Sequence, residues 1–103
     1  MPQRVYTSPY PSSNIPTNQS ISQFLLSSNP DDVPNDKDIL TDFDNPHGSI
    51  TYGGIRKSAA LGAAGLKDVL GLEEGKIVCI FAGNSVNWAL LAHSVLWGGA
   101  CFR

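Results

Sequence analysis

The sequence predicts an α/β fold in which a β-hairpin leads into helix, strand and helix, with an incomplete sheet. Three observations point there. Ile77 to Ala82 is an unbroken run of six apolar residues, Ile-Val-Cys-Ile-Phe-Ala, entered from Gly75-Lys76 and left through Gly83-Asn84. Helical patterns lie on each side of it, which gives the alternation of an α/β layer. All seven prolines lie at or before Pro46 and all ten glycines at or after Gly48. The chain thus divides into an extended, turn-rich segment, residues 1–48, and a segment of regular structure, residues 49–103.

Residues 1–18 carry Pro2, Pro9, Pro11 and Pro16 among Ser, Asn and Gln, a composition that excludes a helix and predicts an extended run, pinned by Tyr6 and Tyr10. Ser20 and Gln23 have the spacing of a capping box, and Ile21, Phe24 and Leu25 predict the apolar face of a short helix over residues 21–27, ended by Asn29-Pro30. A first hairpin strand is expected near residues 38–42. A turn of about five residues at Asp44-Asn45-Pro46-His47-Gly48 and a returning strand at Ser49 to Thr51 complete the hairpin. His47 reads as a solvated turn residue.

Thr51 is placed to cap the next helix. Its apolar positions Ala59, Ala63, Leu66 and Leu70 recur at helical spacing, Gly62 and Gly65 offer close approach to a neighbour, and Gly71 ends it. The run from Ile77 to Ala82 is expected to be a central strand buried on both faces. Ser85 caps a second helix, Val86 to Trp97, apolar almost all round and therefore expected to be buried; His93 within it reads as a packed histidine. Gly98-Gly99 stops that helix, and Ala100-Cys101-Phe102 opens a further strand.

Composition excludes several classes of function. A net charge of −2 supplies no basic footprint for nucleic acid or anionic lipid. The longest apolar segment, Val86 to Trp97, is interrupted by Asn87, His93 and Ser94 and falls short of the roughly 20 residues of a membrane span. Six of the nine acids lie between Asp31 and Asp44, but Val33, Pro34, Ile39 and Leu40 break the pattern a calcium loop needs, so no metal site is expected. Gly71 to Lys76 is one residue short of a phosphate loop and enters a strand; Gly62-Ala63-Ala64-Gly65 lies within a helix and so is no dinucleotide fingerprint. With no secretory signal, Cys79 and Cys101 are expected to remain thiols, Cys79 as a small buried hydrophobe.

Six stretches carry a family resemblance. Ile50-Thr51-Tyr52-Gly53-Gly54-Ile55-Arg56 resembles the first core motif, Leu-Thr-Tyr-x-Glu-Leu, of the adenylate-forming enzymes, with Gly54 where the motif has its glutamate. Leu96-Trp97-Gly98-Gly99-Ala100-Cys101-Phe102 resembles the second, Leu-Lys-Ala-Gly-x-x-x, which joins a helix to the strand behind it. Gly83-Asn84-Ser85-Val86-Asn87-Trp88 is similar to the Pro-Asn-Ser-x-x-Trp/Phe segment of acyl-CoA synthetases and 4-coumarate-CoA ligases, and Leu70 to Val78 to their Leu-Gly-(Leu)-x-x-Gly-Asp-x-Val. Ser8-Pro9-Tyr10-Pro11 and Phe24-Leu25-Leu26 also look like the opening of the 4-coumarate-CoA ligase branch.

The resemblance implies the start of the large N-terminal domain of an enzyme that uses ATP and Mg to turn a carboxylic acid into an acyl-adenylate and passes the acyl group to coenzyme A. It implies an intracellular protein, cytoplasmic or peroxisomal. The matched motifs are structural, so no catalytic, cofactor-binding or metal-binding residue is assigned to this chain, which alone is expected to be inactive. ATP, Mg, CoA and the acid belong to the full-length family member. Uncovered apolar surface would favour self-association of the isolated chain. The alternative is a free-standing small α/β binding or interaction module without catalysis.

Overall fold

The computed structural model describes residues 2–103. Its elements in order are a π-helical turn (Gln23–Ser28), β1 (Asp38–Leu40), a 3-10 turn (Pro46–Gly48), β2 (Ile50–Thr51), α1 (Tyr52–Leu70), β3 (Ile77–Val78), α2 (Val86–Trp97) and β4 (Cys101–Phe102). The α/β class follows: β1 and β2 pair antiparallel, β3 and β4 pair parallel across α2, and the two sheets are separate.

The N-terminal run carries no helix or strand and is exposed throughout residues 2–20. Tyr6 and Tyr10 do not pin it; both rings lie in solvent. The radius of gyration, 16.9 Å, accordingly exceeds the roughly 13 Å of a compact chain of this length. The Ser20–Gln23 capping box forms in both directions, Gln23 Oε1 accepting from Ser20 N–H at 2.9 Å and Ser20 Oγ from Gln23 N–H at 3.1 Å. The helix it starts differs from the expected one over residues 21–27. From Gln23 it is π-helical, and the residues turned inward are Ser22 and Leu26, while Ile21 and Leu25 are exposed. The i→i+5 register rotates side chains relative to the α spacing on which the expected face rests.

The hairpin strand ends at Leu40, before Asp42, and a bulge between Asp38 and Leu40 shifts its register. Its connection runs from Thr41 to Ser49, longer than the expected turn, with His47 exposed on the 3-10 turn. Thr51 caps α1, its Oγ1 accepting from Gly54 N–H at 3.0 Å. Gly71 ends α1 in the left-handed region at φ 64°, donating to Lys67 O at 3.0 Å. The buried cluster is Leu26, Tyr52, Ile55 and Ala59, with Val33, Leu40, Ile50, Leu90 and Trp97 packed against it. Removing Ile55 from water contributes about 2 kcal/mol.

α1 and α2 approach through small residues. A Cβ on Gly62 would stand 2.1 Å from Ser94 Oγ and 2.8 Å from Ser94 Cβ, so only glycine admits this spacing. Gly65 faces open space and serves no such approach, contrary to the sequence expectation.

The largest correction concerns the central strand. Regular pairing covers Ile77–Val78 alone, and the run is not buried on both faces. Val78 and Ile80 are half-buried on the α2 side, where Phe102 meets Trp88 edge-to-face at 5.6 Å, whereas Ile77, Cys79 and Phe81 are exposed, Ile77 at 69%. An alternating pattern results because α2 covers one face of β3 and β4 and nothing among the described residues covers the other. For the same reason α2 is only partly buried: Val95 is fully enclosed, Trp88, Leu90 and Trp97 are half-buried and Leu91 is exposed.

Candidate functional site

A hollow of about 240 Å³ lies where the π-helical turn, the β1 hairpin and α1 meet α2, walled by Leu25, Leu26, Val33, Ile39, Tyr52 and Ile55 and faced by His93. Tyr52, first residue of α1, fixes its inner edge. Tyr52 N–H donates to Lys37 O at 2.8 Å, and the phenol donates to Leu25 O at 2.5 Å, joining a helix start to a turn 27 residues earlier. One helical turn on, Arg56 donates to Leu26 O at 3.3 Å and to Asn35 Oδ1 at 2.7 Å, with its guanidinium 5.5 Å from the Tyr52 ring centroid. Gly53 N–H reaches Asn35 O at 2.9 Å.

The rim is set by Asn29. It sits in the left-handed region at φ 47°, and its side chain both donates to Val33 O at 2.9 Å and accepts from Val33 N–H at 2.8 Å, folding Pro30 to Asp32 into a closed turn. His93 is half-buried, and desolvation lowers its pKa below the ordinary 6.5, so the imidazole is neutral at pH 7. The hollow therefore offers mainly apolar walls, with His93, Asn29 and Asp31 as its polar lining. It is smaller than the roughly 300 Å³ at which drug-sized pockets begin and is open to solvent on one side.

No site residue was assigned from the sequence, and the residues it singled out fall apart in space. His47 is exposed on the hairpin connection, away from the hollow, whereas His93 lines it together with Asp31 of the acidic run and Tyr52 of the first motif. Asp42 and Asp44 line a different cleft with Asn84 and Ser85 at the start of α2, where Asp42 Oδ1 accepts from Asp44 N–H at 2.9 Å. Among the described residues no three His, Cys, Asp or Glu side chains gather as a metal site. Cys79 is not buried; it and Cys101 are free, exposed thiols. Sequence reasoning missed the Asn29, Asn35 and Arg56 ties. The i,i+4 spacing of Tyr52 and Arg56 was the available signal, since it sets a cation above a ring on one helix face.

The chain matches no protein-family model and no curated protein. Among the described residues no helix is long and apolar enough to cross a membrane.

Proposed function

We propose that the chain is a piece of an ATP-dependent acid-CoA ligase, contributing the opening of the large N-terminal domain of an adenylate-forming enzyme and no catalytic group of its own. The observation that carries this reading is the bare face of β3 and β4. Parallel strands are found with both faces covered, and here α2 covers one while Ile77, Cys79 and Phe81 stand in solvent on the other. The pair behaves as part of a wider sheet whose remaining cover comes from elsewhere. Two local features agree with the motif resemblance. Thr51-Tyr52 works structurally, as a helix cap and as a tie to Leu25 O, and Gly98-Gly99 turns α2 back onto a strand paired in parallel. The carboxylic acid, ATP, Mg and CoA would be held by other segments of the full enzyme, which this reading sets inside the cell, in the cytoplasm or the peroxisome.

The test is to read the transcript beyond the codon for Arg103. An in-frame Ser/Thr-Ser-Gly-Thr-Thr-Gly type loop is expected; a stop codon with no spliced continuation overturns the proposal. A second reading, a free-standing α/β binding module, is favoured by the hollow at His93. It requires a monomer with sharp near-UV tryptophan signals and cooperative unfolding. The ligase reading expects self-association or loose packing of the isolated chain.

A further inference from the structure

One hydroxyl on the exposed run is set apart by its neighbours. Thr7 alone among the Ser and Thr residues of the chain has an Arg or Lys three positions before it, Arg4, and Arg4 is the sole charged side chain ahead of Asp31. Residues 2–8 carry no helix, strand or bend, the first bend falling at Pro9 and Tyr10, and every residue from Arg4 to Tyr10 is exposed, Tyr6 beside Thr7 at 84%. Several hydroxyls elsewhere are engaged or enclosed: Ser20, Thr51 and Ser85 accept the N–H bonds that start helices, and Ser22 and Ser94 are buried. Next to Thr7, Ser8 Oγ accepts from Tyr10 N–H at 3.1 Å, which ties Ser8 into the bend.

We infer that Thr7 is a phosphorylation site for a serine/threonine kinase whose substrate groove holds Arg4 with carboxylates. A kinase has to draw the target hydroxyl into its catalytic cleft, which a residue in a helix or strand reaches only after its backbone bonds are broken. Thr7 lies in neither. Three residues of extended chain span about 10 Å, so a carboxylate pocket at that distance from the cleft reads Arg4 when Thr7 is seated. A guanidinium suits such a pocket because it binds a carboxylate through two parallel bonds, and no acid on the run before Asp31 is present to repel it. In the transfer, Thr7 Oγ1 attacks the γ-phosphorus of Mg-ATP, the new O–P bond forms as the bond to ADP breaks, and the hydroxyl proton passes to the catalytic aspartate of the kinase. The products are phosphothreonine and ADP, with no change of oxidation state. The phosphate brings a charge of about −1.5 to −2 at pH 7, which turns a run whose one charged side chain is Arg4 from cationic to anionic.

This site does not rest on the ligase reading, and it needs no folded core, since the kinase reads a short peptide. The test incubates the full-length protein, and beside it a synthetic peptide of residues 2–14, with Mg-ATP and calcium/calmodulin-dependent protein kinase, an enzyme of this arginine-reading class, and maps the phosphate by tandem mass spectrometry. Expected is one phosphate, on Thr7, in protein and peptide alike, and the same mark on protein recovered from its own cells with phosphatases inhibited. Thr7→Ala should abolish incorporation. Arg4→Ala should lower kcat/KM about 30-fold, the loss of a hydrogen-bonded charge pair, and Arg4→Lys should recover part of it by keeping the charge without the paired bonds. A phosphate on Ser8 in place of Thr7, an Arg4→Ala variant phosphorylated as fast as the parent, or no mark on the protein from cells would overturn the assignment. So would a peptide that is phosphorylated while the full-length protein is not, because the run would then be covered in the whole molecule.

Discussion

The two ends of α1 live in different surroundings. Its first turns, with the hairpin and the π-helical turn, form a closed region: Ile55 is 2% exposed, Leu26 3%, and side chains of Tyr52 and Arg56 bond to backbone carbonyls about thirty residues upstream. Its last turn and the β3–α2–β4 unit form an open region in which Val69, Leu70, Ile77 and Phe81 are exposed. Apolar content does not separate the two. What differs is that the closed region has three elements converging on one helix face, whereas β3 and β4 have α2 on one side only. Apolar sequence becomes core only where another element arrives to cover it.

The sharpest way to break this comparison is to truncate one isoleucine in each region. Ile55→Ala should cost about 3 kcal/mol, transfer plus cavity, and Ile77→Ala less than about 0.5 kcal/mol, both read by urea denaturation followed by circular dichroism. Comparable losses would mean that the open face is covered in solution. The helix pair gives the next largest contrast. Gly62→Ala drives a methyl into Ser94 and should cost about 2 kcal/mol, relieved in part by Ser94→Gly. Gly65→Ala, with nothing within 4 Å of the new carbon, should instead stabilise by about 0.5 kcal/mol or more.

Ser22 gives a smaller effect of unusual sign. Its hydroxyl is buried with no hydrogen-bond partner among the described residues, so Ser22→Ala should raise stability by about 1 kcal/mol; a loss would reveal a partner for Oγ in solution. The smallest effect is on pH dependence. Burial lowers the His93 pKa in the folded chain, so below the ordinary 6.5 the unfolded chain binds more protons than the folded one. Stability should therefore be fully present above about pH 7 and fall as pH drops through 6.5 to the lower folded value. His93→Gln should flatten that part of the profile, and an unchanged slope would place the responsible group elsewhere.

Much of the local structure was legible in the residues. Ser20 with Gln23, Thr51, Gly71 and Ser85 start or stop helices where their side chains or φ freedom dictate, because capping involves atoms three or four residues apart. The hollow at His93 was not legible. It depends on Arg56 meeting Asn35 and Leu26 across separations of 21 and 30 residues, and on a left-handed turn at Asn29 closed by its side chain on Val33.

The run from Ile77 to Ala82 marks the boundary between what each level decides. Its composition set a strand, and the parallel pairing with β4 follows from the intervening helix, since a crossover of that length brings the second strand back in the same direction. Whether both faces would be buried was never contained in those six residues. An apolar side chain is equally apolar on either face, and only the packing of other elements removes it from water. α2 arrives on the side of Val78 and Ile80, and Ile77, Cys79 and Phe81 are left facing solvent. The sequence by itself determined where the helices start and stop; the tertiary structure alone decided which apolar residues are core and which are surface, because burial belongs to pairs of elements and not to any one of them.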